Sequence, residues 1–407
     1  MTSRGLTTEP HARSVEHRRA GVVVVYAAAL GQGLTVVSFP ASGALFKAHG
    51  LTDAQYGTLF LPQVLFTLLA SLVGARLARR IGLARTLRAA CSWSAMAALL
   101  LYSSSVIAGA FVFPVLLAGT AAMGIGFGLS AAPLNTLPPR LFPNRADSSL
   151  LALHTLMGAG FSLGPVLAGT FIRQGTWSRL PLLLLGASLL LALLAPGALA
   201  AHEPTPEAVR GVGPRGAAPT RRLLFWGFVL AAVIYAFAEG TFSNWAILFL
   251  HEERGIAEAS AGLALSVFWG ALVVGRLLMA VLVTRVRAEL LWLALPPAMG
   301  AAFVALPAVV GATGAIAAFA WAGLSCSALF PLTVTLASRR FPEHAAQVSS
   351  AMIASLMFGV GLASFSIGPL RSALSLAQIY RASIGYPVAL FALGTVLFHR
   401  RRNALVR

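Results

Sequence analysis

The chain predicts an all-α membrane protein: twelve transmembrane helices arranged as two pseudo-symmetric six-helix bundles. Three observations lead there. Of 407 residues, 58% are apolar and 10% charged, with a mean hydropathy of +0.82, whereas soluble chains carry about 25% charged residues. Twelve apolar runs are each long enough to cross about 30 Å of hydrocarbon. Finally, SSLLALHTLMGAG at 148–160 returns as SSAMIASLMFGVG at 349–361, each copy preceded by a basic, proline-containing turn, RLFP at 140–143 and RRFP at 339–342. A repeat of half a membrane chain implies two halves able to rock about one shared site.

The first bundle begins after a polar stretch of 20 residues. Span 1 covers 21–46 and span 2 covers 56–78, opening on Tyr56-Gly57 and closing on Arg79-Arg80. Spans 3 (86–107), 4 (111–134), 5 (149–171) and 6 (180–200) follow, separated by short turns that leave no room for a separate domain. Residues 201–222 contain four prolines and several glycines, and read as a linker between halves at 1–200 and 223–407. Spans 7 (223–249), 8 (259–283), 9 (288–308), 10 (311–336), 11 (347–369) and 12 (378–398) complete the chain. Span 8 opens on Ala261-Gly262 and closes on Thr284-Arg285, 205 residues after the matching points of span 2. The halves therefore run in the same sense, as parallel repeats related by an axis along the membrane normal.

The net charge of +18 would suit a nucleic-acid binder, but its distribution argues otherwise. Twenty-four of the 30 basic residues fall on one side of the twelve spans, leaving Lys47, Arg173, Arg179, Arg254, Arg371 and Arg381 on the other. That asymmetry is the positive-inside pattern. It places both termini in the cytoplasm, makes anionic lipid headgroups the partner of the basic charge, and leaves no nucleic-acid surface. Cys91 and Cys326 lie inside spans and imply no disulfide framework. The polar N-terminus and the long first run do not match a cleaved signal peptide, so the expected location is a cell membrane, naturally a bacterial inner membrane, and the expected state a monomer.

Enzyme motifs are missing. Lys47 is the only lysine, and no GxxxxGK surrounds it. His251-Glu252 starts a zincin-like pattern that Gly255 ends. The one GxSxG, Gly160-Phe161-Ser162-Leu163-Gly164, lies inside span 5 and not at the strand-to-helix turn that a nucleophile elbow needs. No cofactor or metal is expected.

Polar residues inside the spans carry the functional signal. Glu239 is the one acid of twelve placed deep within a span, Glu289 standing at the cytoplasmic edge of span 9. A carboxylate deep in lipid costs several kcal/mol unless paired, hydrated or protonated, so Glu239 is the candidate for taking and releasing a proton. It lies 16 residues into span 7, about 24 Å along the helix. Tyr235 and Ser243 share its face at i−4 and i+4, and Gly240, Thr241, Asn244 and Trp245 crowd the same stretch. Amide, hydroxyl and aromatic groups there suit a polar, uncharged solute such as a sugar. Tyr235, Asn244 and Trp245, with Gln32 in span 1 and Asn135 at the end of span 4, are the substrate-cavity candidates. Gln63, Ser325, Ser327 and Thr333 could line a cavity or bind helices together. His154 could titrate near neutrality or simply pack, and Arg276 could snorkel to the interface or contact another helix.

Several segments carry a family resemblance across nearly the whole chain. GLTDAQYG (50–57) resembles the first external loop of the major facilitator superfamily, and GARLARRIGLARTL (74–87) sits where that family keeps its loop motif after span 2. Leu77, Arg80 and Gly82 fit the motif; Arg79 occupies its Asp position, and Thr284 the equivalent position in the second half. The resemblance makes Arg79, Arg80 and Gly82 gating candidates by position. LHTLMGAGFSLGP (153–165), FWGALVVGRLL (268–278) and ALFPLTVTLASRRFP (328–342) look most like the fucose-permease-like sugar branch, whose characterised proton-coupled member uses carboxylates in spans 1 and 4. This chain has none in either. The run from Gly160 through Gly164-Pro165 to Gly169 is similar to the span-5 signature of drug-efflux antiporters, with Ala168 in place of a glycine, and makes Gly164 and Pro165 hinge candidates. The resemblance implies alternating-access transport of a small-molecule substrate, first as a proton-coupled importer of a sugar-like solute. A drug or metabolite efflux antiporter is the alternative, and a single acid is also compatible with facilitated diffusion.

Overall fold

A computed structural model of the chain describes residues 9–200, 220 and 222–399, and every regular element among them is helical. The expected linker at 201–222 lies, apart from Thr220 and Arg222, outside the described residues. The spans run Glu9–Ala41, Asp53–Ile81, Leu83–Ser103, Val112–Leu141, Ala146–Arg173, Arg179–Leu199, Leu223–Asn244, Glu258–Leu282, Ala288–Ala305, Gly311–Arg340, Gln347–Leu370 and Leu376–Phe398. Eleven of these regions are long and apolar enough to cross a membrane. The twelfth, span 3, is a helix of 21 residues with Arg85 and Arg88 in its first two turns, which dilute its hydropathy without shortening it.

Packing repeats with the sequence. Span 2 lies on span 4, span 1 on span 5 and span 3 on span 6; span 8 lies on span 10, span 7 on span 11 and span 9 on span 12. The halves meet along two seams, span 2 against span 11 and span 5 against span 8. These four spans are those whose sequences visibly repeat. Lipid supplies no hydrophobic drive between helices, so close approach depends on small residues. Gly57, at the start of span 2, lies close against span 11: a methyl carbon there would sit 3.1 Å from Gly368 Cα and 3.1 Å from the Phe365 carbonyl, tighter than ordinary contact. Gly262, its counterpart on span 8, would bring a methyl within 3.0 Å of the Pro165 carbonyl of span 5. Leu72, Leu193, Val281 and Val388, by contrast, are each more than half exposed, as lipid-facing residues should be.

Two expected continuous helices are broken. Span 7 stops at Asn244; Trp245 leaves helical geometry, and the chain resumes as Ala246–Leu248 and a π-helical turn, Phe249–Glu253. Span 10 is interrupted at Ser327–Ala328, between Gly311–Cys326 and Leu329–Arg340. Non-helical backbone at membrane depth survives only where protein satisfies it. Here the freed carbonyls are taken up by side chains of other spans, and these breaks frame the site. Span 1 also ends earlier than expected, at Ala41, and restarts as the short helix Gly43–Ala48.

Below, the face bearing Arg79, Arg80, Arg140, Arg339 and Arg340 at the helix ends is termed the basic face, and the opposite one the far face.

Candidate functional site

Toward the far-face half of span 7, Tyr235 and Glu239 lie one turn apart. Both are buried, Glu239 being 8% exposed. The Tyr235 hydroxyl donates a short hydrogen bond to Glu239 Oε2 and lies 3.0 Å from the Cys326 carbonyl at the break in span 10. One hydroxyl hydrogen thus faces two acceptors. Phe330 stacks on the Tyr235 ring from beyond the break, with centroids 6.2 Å apart. On the other side of the break, Arg276 Nε of span 8 donates to the Ser327 carbonyl at 3.2 Å. A cation at the carbonyl end of Gly311–Cys326 is where the helix dipole favours one. The Arg276 charge acts on Glu239, Tyr235 and His154, although Arg276 forms no ion pair within 4 Å among the described residues.

The direction of Arg276 settles its sequence ambiguity. Helical side chains lean toward the helix N-terminus, and span 8 starts at the far face. Arg276 therefore points away from the nearer basic face and toward mid-depth, where its bond to Ser327 holds it. It does not snorkel.

The far face is sealed by contacts between the halves. Tyr56 of span 2 donates to the Asn244 carbonyl at 2.7 Å and packs edge-on against Trp245 with centroids 5.0 Å apart. Asn244 Nδ2 donates to Ser364 Oγ at 2.7 Å, and Trp245 Nε1 to the Ser364 carbonyl at 3.1 Å. Above this layer, Arg371 gathers three acids. Its Nε lies 3.5 Å from Asp53 Oδ2, its Nη2 3.6 Å from Glu252 Oε2, and its Nη1 donates to Glu253 Oε1 at 2.6 Å. Lys47 pairs with Asp53 at 2.8 Å, and Glu253 also accepts from the backbone of Leu376 and Ala377 at the start of span 12. Burial pushes the Glu252 carboxyl above the usual carboxylate range; Lys47 opposes the rise, Asp53 adds to it, and Arg371 and His251 oppose it. Among the described residues, every ion pair joining the halves is at this face.

The expected cavity residues separate accordingly. Glu239 and Tyr235 come together. Asn244 and Trp245 do not line an open cavity: they belong to the far-face seal, because the break in span 7 turns both toward span 11. Gln32 donates to Ser94 Oγ of span 3 at 3.1 Å, which directs its amide into the first bundle and away from the seams. Asn135 is exposed and donates to the Ala131 carbonyl of its own helix at 2.8 Å. Arg79 and Arg80 are exposed, while Gly82 turns the chain between spans 2 and 3 at φ 95°. Gly164 accommodates Val37 of span 1, and Pro165 meets span 8 at Gly262, so the hinge candidates lie where spans 1, 5 and 8 converge.

Sequence reasoning passed over Arg371 and placed too little weight on Arg276 and Trp269. Trp269 stacks on Phe161 across the seam of spans 5 and 8, centroids 4.8 Å apart, and its buried Nε1 has no hydrogen-bond partner among the described residues. A usable signal did exist. Arg276 and Trp269 are seven residues apart, two helical turns on one face.

A family model described as Major Facilitator Superfamily matches residues 22–366. No curated protein matches the chain. Solved structures do, at low identity. The nucleoside transporter NupG (a mutant form) is 11% identical with a TM-score of 0.76, covering 94% of this chain and 100% of its own. A D-xylose-proton symporter is 13% identical with a TM-score of 0.71, covering 93% and 97%. A bacterial homolog of the human lysosomal transporter Spinster, in an inward-facing and unoccupied conformation, is 17% identical with a TM-score of 0.65, covering 94% and 95%.

Proposed function

Because the chain belongs to the Major Facilitator Superfamily, we propose that it is a secondary transporter that moves a small polar, sugar-like solute by alternating access, coupled to protons through Glu239. The halves are residues 1–200 and 223–407, joined by 201–222. The basic face is cytoplasmic and both termini lie on that side of a bacterial inner membrane, where the protein works as a monomer among anionic lipids. The sealed far face supports an arrangement open to the cytoplasm.

One observation carries the coupling: the Tyr235 hydroxyl faces both Glu239 and the Cys326 carbonyl. With Glu239 ionised, Tyr235 gives its hydrogen to the carboxylate. With Glu239 protonated, the acid becomes the donor, and the Tyr235 hydrogen turns to Cys326. Protonation is thereby transmitted to the break in span 10, a natural point of flexure. The sugar-like character of the solute is supported by the Phe161–Trp269 stack with its unpaired indole N–H, an arrangement that takes a ring face and a hydroxyl. The nucleoside transporter and xylose-proton symporter among the structural neighbours fit the same class of cargo.

The test is reconstitution of purified protein in liposomes with a trapped pH-sensitive dye and an imposed pH gradient. Glu239→Gln should abolish solute-driven proton uptake while solute exchange at equal pH survives. Unchanged proton uptake in a Glu239→Gln protein that still moves solute would overturn the assignment.

A further inference from the structure

Span 8 carries a second recognition element that the transport reading does not use. Arg276 spends Nε on the Ser327 carbonyl, and its two Nη groups have no partner among the described residues. The side chain is half-buried and aimed toward the far face, the direction of Trp269. Seven residues on one helix place Trp269 on the same face, about 10.5 Å along the axis. The unpaired Trp269 Nε1 is buried there beside Phe161. A guanidinium fork and an indole N–H beside an aromatic stack thus share one helix face two turns apart, a pairing suited to a substituent at one end and a ring at the other.

Charge balance says what the substituent should be. Among the described residues, the charged side chains nearest the break in span 10 are Glu239, through Tyr235, and Arg276. The other titratable groups facing Glu239 are Tyr235 on its own span and Cys326 on span 10; His154 on span 5 faces Arg276. With Glu239 ionised, the two charges compensate. A proton arriving alone leaves Arg276 uncompensated in a site of low polarity, and an anion arriving alone leaves one negative charge in excess; both are costly. A proton and an anion arriving together leave the site neutral.

We propose, on the basis of the transport reading above, that the solute is a sugar acid: a hydroxylated ring bearing one carboxylate, which Arg276 grips through its Nη groups while the ring lies toward Trp269. The carboxylate and the proton on Glu239 then bind as a pair, which makes co-transport obligatory without a second acid. Arginine suits this role because its fork matches a carboxylate.

The test uses full-length protein in detergent and liposomes with matched probes: glucose and glucuronate, galactose and galacturonate, mannose and mannuronate. Binding by calorimetry and flux by counterflow should favour at least one acid over its neutral partner by about tenfold or more. Arg276→Gln should weaken that acid by about 10- to 100-fold, the range expected for hydrogen bonds to a charged group. Arg276→Lys should recover part of the loss, and Glu239→Gln should bind the acid with no dependence on pH between 6 and 8. Neutral sugars bound and carried as well as their acids would overturn the proposal and leave the transport reading standing. Neither set bound nor carried would end both. The wild-type comparison decides these outcomes even if a variant fails to fold.

Discussion

Asp53→Asn removes one carboxylate from the far-face cluster while preserving side-chain size. Asp53 belongs to the first half and Arg371 to the second, and Nε and Oδ2 are 3.5 Å apart. At an effective dielectric constant of about 20, two unit charges at that distance attract by about 5 kcal/mol. Most of this is offset. The side chains are 14% and 23% exposed, so both regain hydration when the seal parts, and Arg371 keeps Glu252 and Glu253 within its own half. A net effect of about 1–2 kcal/mol lies between the values for exposed and buried pairs. The pair Lys47–Asp53 lies within one half and is lost equally in both conformations. Asp53→Asn should therefore raise the ratio of far-face-open to far-face-closed molecules by about 5- to 30-fold. Spin labels at Gln174→Cys and Val310→Cys, one on each half, would read the ratio as two populations in a distance distribution. High salt near 1 M, where screening falls to about 3 Å, should shift the wild type the same way. A distribution that Asp53→Asn leaves unchanged would refute the argument that this pair holds the seal.

Tyr235→Phe removes the hydrogen shared between Glu239 and Cys326; proton-driven accumulation should fall by about tenfold or more while exchange without a gradient persists, as measured in liposomes. Gly262→Val fills the 3.0 Å gap to the Pro165 carbonyl and should push spans 5 and 8 apart, costing about 1–3 kcal/mol and lowering the unfolding temperature; an unchanged melting curve would count against that seam. For Glu252 the sign follows from its raised carboxyl. The closed far face holds the proton more tightly than an open one, so closure is strongest at pH below the ordinary carboxylate value and weakens as pH rises toward the raised value. The spin-label distribution should move toward open as pH rises through that window, and Glu252→Gln should flatten the dependence.

Much of this protein is legible in its sequence because lipid imposes one-dimensional rules. A span must be about 20 apolar residues long, a charge must lie outside it, and a repeat of half the chain must pack as its partner does. Gly57 and Gly262, aligned at the openings of spans 2 and 8, fall on the two seams, and Glu239 stands out because an acid at that depth needs a reason. Span 3 shows the limit of composition, since Arg85 and Arg88 lower its hydropathy while the packed helix persists.

The tertiary structure decided matters that depend on which residues meet across long separations. Nothing local in Asn244-Trp245 says that the helix breaks there and turns them toward Ser364, 120 and 119 residues away, into a seal and not a cavity. Gln32 turns toward Ser94, and Arg371 collects acids from two loops far apart in the chain. Arg276 could have served the membrane surface; its bond to the Ser327 carbonyl draws it to mid-depth instead. Periodicity and charge fix how a segment sits in lipid, whereas the partner of a buried polar group is chosen by the fold, because only there do distant donors and acceptors compete for one another out of reach of bulk water.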